Sequence, residues 1–443
     1  MYKQSRYNII VPYNSNEVLI YNSLRNSVCL LSTEELSILR ELLKDTDQFF
    51  KLYPALFHQM KEDGYIVDVN FDELEYIKFQ NKIQVFGNTA LHITINPTLD
   101  CNLSCWYCST EYAKAKHKGY MSQETVEAVK KHIKLQIERN KISALHLDWF
   151  GGEPLMYFNE VIKPIASFAK ELCIENNIPF TQHATTNSVL MNSSMMIEMN
   201  KLGFTSFQIP IDGNEQHHNS IKYTKGGQGT FFTVVKNLNE LPIYIPNIHI
   251  TLRINYDRKT LFGISDIVPM LSKQAKQHIT VDFQKVWQVK CTEAICKQLS
   301  LIKKSFYENG LDSEYWAYRP HMFHRCYSDK LRQYAINYDG RIFKCTAQDY
   351  GDDKSIGKLN ADGTLSLKEQ LISKLFSTEA FENDRCLNCN KLPICMGPCI
   401  IRNFEFRKQG AAIPCIMENS QFPFESFVKE LAWKRGIIKN YID

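Results

Sequence analysis

The hydrophobic pattern at the start of the chain predicts a small mixed module. Apolar and polar residues alternate in three short segments that are typical of half-buried strands, 7–12, 17–21 and 65–69. Two helices are expected between them, one starting at Ser32-Thr33-Glu34-Glu35 and one covering 49–62. Strands beside two short helices predict a winged-helix-like α+β module over residues 1–89.

Strands and helices alternate through the next region, residues 90–300. Six segments are predicted strands: 91–96, 144–150, 180–185, 206–211, 248–255 and 279–283. A helix is expected to begin after Ser122, because Val126, Val129, Ile133 and Ile137 recur at spacings of three and four. Further helices are expected over 159–175 and 193–202. This alternation predicts a parallel sheet, arranged as a partial (β/α)6 TIM-type barrel in an α/β fold.

The last region, residues 301–443, is predicted to be a linker followed by a domain of short strands and turns. Segments 333–337 and 342–345 flank the polar turn Tyr338-Asp339-Gly340-Arg341, a pattern typical of a β-hairpin.

Composition and charge limit which partners and which cellular compartment are expected for this protein. The 443 residues carry a net charge of only +4 and no long basic tract, so nucleic acid is not expected as a partner. No apolar stretch is long enough for a membrane span, and the polar start at 1–6 does not resemble a secretion signal. The expected location is the cytoplasm, where thiols stay reduced. The 14 cysteines therefore favour metal binding over disulfides.

Cys101, Cys105 and Cys108 form a C-x3-C-x2-C triplet directly after the first barrel strand. Loops in this position carry the active sites of such barrels. Three thiolates can hold three irons of a four-iron cluster and leave the fourth iron open to a ligand. A structural zinc ion would need a fourth protein ligand. Zinc remains the alternative to a redox cluster.

With Tyr107 before its last cysteine, this triplet resembles the motif of the radical S-adenosylmethionine (SAM) superfamily. The resemblance implies a [4Fe–4S] cluster on Cys101, Cys105 and Cys108 whose open iron binds SAM. In that family, the reduced cluster cleaves SAM to methionine and a 5′-deoxyadenosyl radical. The radical then abstracts a hydrogen atom from the substrate.

Two segments after the next strands resemble SAM-contacting motifs of the family. Gly151-Gly152-Glu153-Pro154 is similar to the GGEP motif, and the resemblance implies that its backbone and Glu153 meet the SAM amino group. Thr186-Asn187-Ser188 is similar to the TNG segment, which makes Asn187 a further candidate SAM contact.

Two later strand ends complete the resemblance. Pro210-Ile211-Asp212-Gly213 is similar to the SLDG segment and supplies Asp212. Pro210 replaces the usual Ser and has neither an N–H nor a hydroxyl to donate. Arg253 and Asn255 are expected near the SAM carboxylate and ribose, since a guanidinium can bind both carboxylate oxygens. An ordinary ion pair is the alternative for Arg253.

Seven cysteines in the last region follow the pattern C-x13-G-x4-C, a gap, C-x2-C-x5-C-x3-C, a gap, then C. The pattern, which includes Gly340, resembles the SPASM domain of radical SAM enzymes that modify peptides and proteins. The resemblance implies two auxiliary [4Fe–4S] clusters, or three clusters in all. One cluster would be held by Cys386, Cys389, Cys395 and Cys415, and the other by Cys326, Cys345 and Cys399.

Seven cysteines leave one ligand short for two four-iron clusters. The remaining iron is expected either to be open or to use a non-cysteine ligand, for which Asp329 and Tyr334 are candidates. Zinc is again an alternative at the C-x2-C pair. The other four cysteines, Cys29, Cys173, Cys291 and Cys296, are expected to be structural.

The resemblance implies a maturase of ribosomally made peptides (RiPPs). Residues 1–89 loosely resemble the leader-binding module of such enzymes, whose exposed strand would pair with the leader by β-augmentation. The expected partners are a precursor peptide with its leader and a flavodoxin or ferredoxin that donates electrons.

Other functions remain open. Sulfatase-type maturases carry an Asp after the second SPASM cysteine, where this chain has Thr346, which is not a base at neutral pH. Auxiliary clusters can accept the second electron of an oxidative crosslink (thioether, C–C or C–O), so crosslinking is favoured over peptide epimerisation. A scaffold that holds iron–sulfur or zinc without turnover is the non-enzyme alternative.

Overall fold

The computed structural model describes residues 1–108, 119–286, 288–289, 292–314, 323–378, 380–413, 415–418 and 422–442. Two compact units divide the chain. The first, called here the terminal unit, contains Met1–Gly87, Tyr315–Cys326 and Ser377–Asp443. The second, called the central unit, contains Asn88–Glu314 and Tyr327–Phe376.

The terminal unit begins with the mixed module that the sequence predicts. Its strands and helices are β1 Tyr2–Gln4, β2 Asn8–Pro12, β3 Glu17–Asn22, β4 Ser27–Ser32, α1 Thr33–Leu42, α2 Thr46–Leu52, α3 Pro54–Glu62, β5 Ile66–Asp68 and α4 Glu73–Phe86. Strands β2, β3 and β4 form an antiparallel sheet in that order, and β1 pairs with β5. Ser32 and Glu35 cap α1 by exchanging side-chain and backbone hydrogen bonds.

The predicted single helix over 49–62 is two helices. Tyr53 separates α2 from α3 with φ −137° and ψ 61°, outside the helical region. The proline ring of Pro54 clashes with a helical conformation at the preceding residue, so the chain restarts with Pro54 at the first helical position.

The central unit contains the predicted alternation of strands and helices. Its elements are β6 Leu91–Ile95, α5 Gln123–Glu138, β7 Leu145–Trp149, α6 Lys163–Glu175, β8 Phe180–Thr185, α7 Ser193–Leu202, β9 Phe204–Ile211, α8 Glu215–Ile221, α9 Phe231–Tyr244, β10 His249–Tyr256, α10 Arg258–Gly263, α11 Lys273–His278, β11 Ile279–Lys285, α12 Glu293–Glu308, β12 Asp312–Glu314, β13 Gln333–Ile336, β14 Arg341–Phe343, β15 Gly357–Leu359, β16 Leu365–Leu367 and α13 Glu369–Phe376. All six predicted strands are present.

One sheet of eleven strands runs through this unit in the order β12-β11-β10-β9-β8-β7-β6-β13-β14-β15-β16. Pairings from β12 to β13 are parallel, and those from β13 to β16 are antiparallel. The α/β class with a mostly parallel central sheet is therefore confirmed. The predicted hairpin after 333 is also present, and it joins the central sheet because β13 pairs with β6.

Alternation along the strands separates a core face from a polar face. In β10, Ile250, Leu252 and Ile254 are completely buried, whereas Arg253 and Asn255 lie on the opposite face. The predicted helix after Ser122 is α5, with Ser122 as its N-cap and its apolar stripe buried. Helix-covered strands thus place their polar side chains on one shared face.

The last part of the terminal unit consists of short helices, α14 Asp384–Leu387, α15 Leu392–Cys395, α16 Ile400–Lys408 and α17 Phe424–Lys434. They pack on the N-terminal module. Tyr21 lies edge-on against Phe424 and Phe427, with ring centroids 5.8 and 6.0 Å away. Leu24 shares a core with Leu392 and Met396.

The hairpin after 333 extends the central sheet, while residues from Ser377 onward pack with the N-terminal strands. Within the described ranges, the helices are all too short or too polar to cross a membrane.

Candidate active site

The cysteine triplet follows β6, at the carboxyl end of the parallel strands. Burial raises the pKa of the Cys101 thiol to about 11, and the charges of Glu153, Cys105 and Cys108 add to the shift. The backbone N–H of Leu103 donates to Cys101 Sγ at 3.4 Å. An N–H donor of this kind favours a thiolate, which is the form that binds iron.

The loop after β7 is tied to the loop that carries the triplet. Gly152 N–H donates to the carbonyl of Thr98 at 3.0 Å, and Glu153 N–H donates to that of Asp100 at 2.8 Å. A Cβ on Gly152 would lie 2.0 Å from the oxygen of Asp100, so only glycine allows this approach. The glycines therefore bring the GGEP-like segment against the first cysteine.

Glu153 is completely buried and its carboxylate is engaged by the protein. Oε1 accepts from Thr186 Oγ1 at 2.7 Å and from Leu155 N at 3.1 Å, and Oε2 accepts from Asn187 N at 2.8 Å. Burial raises its pKa to about 7, although these hydrogen bonds oppose the shift. Glu153 thus fixes the loop after β8.

That loop turns the Asn187 side chain toward the triplet. Asn187 Nδ2 donates to Asn102 Oδ1 at 2.7 Å and lies 3.8 Å from Cys101 Sγ. Ser188, which follows, adopts a positive φ of 61°, a conformation that L residues other than Asn, Asp and Gly rarely adopt. The predicted residues Cys101, Glu153 and Asn187 therefore lie together.

A second group of predicted residues meets at the ends of β9 and β10. Asp212 is fully buried, and its Oδ2 accepts from the Tyr107 hydroxyl at 2.5 Å. Asn255 Nδ2 donates to the same hydroxyl at 3.2 Å. Arg253 Nε donates to Asn255 Oδ1 at 2.9 Å, while one of its terminal nitrogens lies 4.0 Å from Asp282. The triplet tyrosine therefore links the cysteine loop to these two strand ends.

Sequence reasoning missed Lys222, which occupies the centre of this group. Its Nζ lies 3.5 Å from both Asp212 Oδ2 and Cys105 Sγ, and 5.3 Å from the centre of the Tyr107 ring. Burial lowers the pKa of Lys222, but Asp212, Tyr107 and Cys105 outweigh it and raise that pKa well above its ordinary value. No motif or periodicity distinguishes this lysine, so the sequence offered no signal for it.

Residues 95–259 match the radical SAM superfamily. This part of the chain is a radical SAM domain. The triplet, Glu153, Asn187, Asp212, Arg253 and Asn255 all fall within it. Such domains use SAM and a [4Fe–4S] cluster, in agreement with the predicted cofactors.

Two curated proteins are similar over part of the chain. A probable GTP 3′,8-cyclase from Methanococcus maripaludis is 23% identical over 279 residues, which cover 60% of this chain and 87% of the cyclase. The sporulation killing factor maturation protein SkfB from Bacillus subtilis is 22% identical over 293 residues, which cover 60% of this chain and 64% of SkfB.

Among solved structures, native anSMEcpe with bound AdoMet and the Cp18Cys peptide superposes with a TM-score of 0.57 at 18% identity. The match covers 78% of this chain and 98% of anSMEcpe. At this identity, the similarity supports the fold.

In the terminal unit, the thiols of the predicted quartet Cys386, Cys389, Cys395 and Cys415 influence one another electrostatically. Burial raises the pKa of Cys395 to about 12, and the other three thiols add to that shift. Cys389 Sγ accepts from the backbone N–H of Lys391 at 3.4 Å. Each thiolate of a four-iron cluster binds a different iron. The assignment of these four thiols to one cluster stays a prediction from the sequence.

In the described parts of the chain, no group of three or more His, Cys, Asp or Glu side chains is arranged so that it could hold a metal ion. The cysteine sets are therefore assigned from their sequence pattern, and the N–H groups that donate to Cys101 and Cys389 are consistent with thiolate ligands.

The third predicted cysteine set is distributed over both compact units. Cys345 belongs to the central unit, whereas Cys326 and Cys399 belong to the terminal unit. Cys345 Sγ accepts from Ala347 N at 3.3 Å, and the Tyr327 hydroxyl lies 3.8 Å away. The grouping of these three cysteines remains a prediction from the sequence.

Asp329 and Tyr334 are the non-cysteine candidates for the eighth ligand. The Tyr334 hydroxyl is 2.5 Å from His132 Nε2 inside the central unit, which makes it a poor iron ligand, whereas Asp329 is buried. Thr346, which takes the place of the sulfatase-type Asp, has its Oγ1 2.7 Å from the Tyr327 hydroxyl. Cys173 is buried, as expected for a structural thiol. Cys291 lies outside the described residues.

Proposed function

We propose that this protein is a radical SAM maturase that oxidatively crosslinks residues of a ribosomally made precursor peptide. The observation that carries the proposal is the cysteine triplet held against the GGEP-like loop at the strand ends of a radical SAM domain. When bound there, the cluster and SAM would supply a 5′-deoxyadenosyl radical for hydrogen abstraction. The alternatives remain a sulfatase-type maturase, a peptide epimerase and a metal scaffold.

The chain's own residues have separable tasks in this proposal. Cys101, Cys105 and Cys108 would hold three irons, and the backbone at Gly151 and Gly152 would line the SAM methionine group. Because its carboxylate is satisfied internally, Glu153 would act by fixing that loop. The strand ends after β8, β9 and β10 would line the rest of the SAM site through Asn187, Asp212, Arg253 and Asn255.

A peptide substrate is supported by the form of the N-terminal module. Its three-stranded sheet has β2 at one edge, and an edge strand offers free backbone groups to an extended peptide. Exposed apolar side chains at Phe50, Leu52, Tyr53 and Leu56 lie in and between α2 and α3 of the same module. We propose that this module binds the leader, and that a flavodoxin or ferredoxin reduces the triplet cluster.

The auxiliary metal sites are proposed in two parts. The quartet Cys386, Cys389, Cys395 and Cys415 would hold a complete cluster. Cys326, Cys345 and Cys399 would hold the other and leave one iron open or bound by Asp329. Replacing the quartet with alanine is expected to remove about four irons per chain and to leave SAM cleavage by the triplet intact.

The catalytic assignment is tested by anaerobic incubation with SAM and dithionite. The wild-type protein should release 5′-deoxyadenosine, and a Cys101→Ala, Cys105→Ala, Cys108→Ala variant should not. Persistent cleavage in that variant would refute the triplet assignment. If the wild type releases no 5′-deoxyadenosine with any substrate, the scaffold alternative is favoured.

The substrate is tested by co-expression with a precursor peptide encoded beside the gene. A crosslinked product should lack two hydrogen atoms by intact-mass analysis, whereas an epimerised product keeps its mass. GTP in place of the peptide should not stimulate SAM cleavage. Stimulation by GTP alone would replace the peptide proposal with a nucleotide substrate.

A further inference from the structure

Lys222 places a buried ammonium group directly beside one of the triplet thiols. The residue follows α8, only 4% of it is exposed, and its Nζ lies 3.5 Å from Cys105 Sγ. Lysine is almost never fully buried unless it is paired. The contacts that this ammonium makes must therefore offset the cost of burying its charge.

An ion pair with Asp212 accounts for only one of these contacts. Asp212 Oδ2 lies 3.5 Å from Nζ, but it also accepts a shorter hydrogen bond from the Tyr107 hydroxyl. Nζ is 3.5 Å from Cys105 Sγ as well, so the ammonium lies between a carboxylate and a cluster ligand. The tyrosine ring below it, at 5.3 Å, is a further attractive surface for a cation.

We propose that Lys222 is a positioning residue that donates a charged hydrogen bond to the Cys105 thiolate and thereby raises the reduction potential of the triplet cluster. Reduction adds one electron from an external donor and takes up no proton, so the reduced cluster carries one more negative charge. A cation near a ligand sulfur stabilises that form more than the oxidised form. Net charge and hydrogen bonds to sulfur are the terms by which proteins set cluster potentials.

Asp212 limits the effect without cancelling it. Its carboxylate offsets part of the ammonium charge, but its Oδ2 also accepts a hydrogen bond from the Tyr107 hydroxyl at 2.5 Å, which is shorter than its 3.5 Å separation from Nζ. The Tyr107 hydrogen bond holds the carboxylate in place, and the carboxylate in turn holds Nζ near Cys105 Sγ. Lys222 should therefore act through charge and an N–H···S contact together.

This inference rests on the proposed radical SAM function, and the experiment separates the two. The full-length protein, its Lys222→Met and Lys222→Gln variants and the triple-alanine triplet variant are reconstituted anaerobically. Each is titrated by EPR against redox mediators. The signal that SAM perturbs and that the triple variant lacks is assigned to the triplet cluster.

Lys222→Met should make that cluster harder to reduce by at least tenfold, or about 59 mV for a one-electron couple. Lys222→Gln keeps an N–H donor without the charge and should give a smaller shift. If Lys222→Met does not retain iron, Lys222→Gln decides. A matched control is Lys130→Met, which removes a lysine paired with Glu127 on α5 and should leave the potential unchanged.

Potentials that agree with the wild type in both Lys222 variants would overturn the inference while leaving the proposed function intact. The proposed function fails separately if the wild type yields no SAM-perturbed [4Fe–4S]+ signal. An equal shift in Lys130→Met would also overturn the inference, because the effect would then follow from protein charge in general.

Discussion

The buried carboxylate of Glu153 links the GGEP-like loop to the loop after β8. Both of its oxygens accept hydrogen bonds, from Thr186, Asn187 and Leu155. Removing a buried acceptor leaves its donors unsatisfied, and each lost partner costs about 1–3 kcal/mol. The residue that the family motif places at SAM thus has a structural task in this chain.

We predict that Glu153→Ala lowers stability by about 1–3 kcal/mol or more, because three buried donors lose their acceptor. Thermal unfolding should show a lower Tm than the wild type. Glu160→Ala, at an exposed position nearby, is the control and should change the Tm little. Equal effects of the two substitutions would contradict the positioning role of Glu153.

The pH dependence of Glu153 gives a separate prediction. Burial raises its pKa to about 7, so between pH 4.5 and 7 the folded protein keeps a proton that the unfolded chain has lost. Folding is then favoured at low pH, and this contribution is lost as pH rises through 7, at up to about 1.4 kcal/mol per pH unit. The Tm difference between wild type and Glu153→Gln should shift in favour of Glu153→Gln from pH 5 to 8. A difference that is flat with pH would rule out the raised pKa.

At the scale of elements, the active-site loops depend on the close approach of the loops after β6 and β7.

The strands themselves were predictable, because six apolar segments have the length and spacing of buried parallel strands. The break before Pro54 could also have been predicted from the proline itself. It was missed because the apolar pattern continues across Pro54 and resembles that of a single helix. The joining of β13 to β6 was not predictable, since it pairs residues about 240 positions apart.

Gly152→Ala is expected to disrupt this loop contact. A Cβ at this position would meet the backbone oxygens of Asp100 and Leu99 at 2.0 and 2.6 Å, and backbone atoms cannot move aside cheaply. Iron content should fall by about four per chain as the triplet cluster is lost. Gly226→Ala, whose Cβ would meet only ordinary contacts, should retain iron. Full iron loading in Gly152→Ala would show that the approach is not required.

At the scale of the whole molecule, the N-terminal module and the C-terminal cysteine segment share one core. Tyr7, Leu24 and Ile77 pack with Leu392 and Met396, close to Cys386. The sequence predicted both segments but gave no sign that they associate, because hydrophobic periodicity identifies a buried face without identifying its partner. The same limit applies to Lys222: burial of a charged side chain depends on distant residues.

Leu24→Ala should therefore weaken a cluster site that is more than 350 positions away in sequence. Truncating a buried leucine costs about 2–5 kcal/mol, and part of that core lies against the quartet helices. In the triple-alanine triplet background, iron bound by the terminal unit should fall. Leu52→Ala, on an exposed side chain of the same module, is the control. If the Leu24→Ala variant binds as much iron as its parent, the quartet does not depend on packing against the N-terminal module.

The split composition of the terminal unit has a consequence for biosynthesis. Residues 1–87 are synthesised early, but the segment that completes their core begins only at Ser377. At about 5–20 residues per second, the interval lasts roughly 15–60 s, during which apolar side chains such as Tyr7 and Leu24 lack their final neighbours. A cluster on the quartet could therefore form only after Cys415 has been synthesised, whereas a cluster on the triplet could form once the intervening chain has folded.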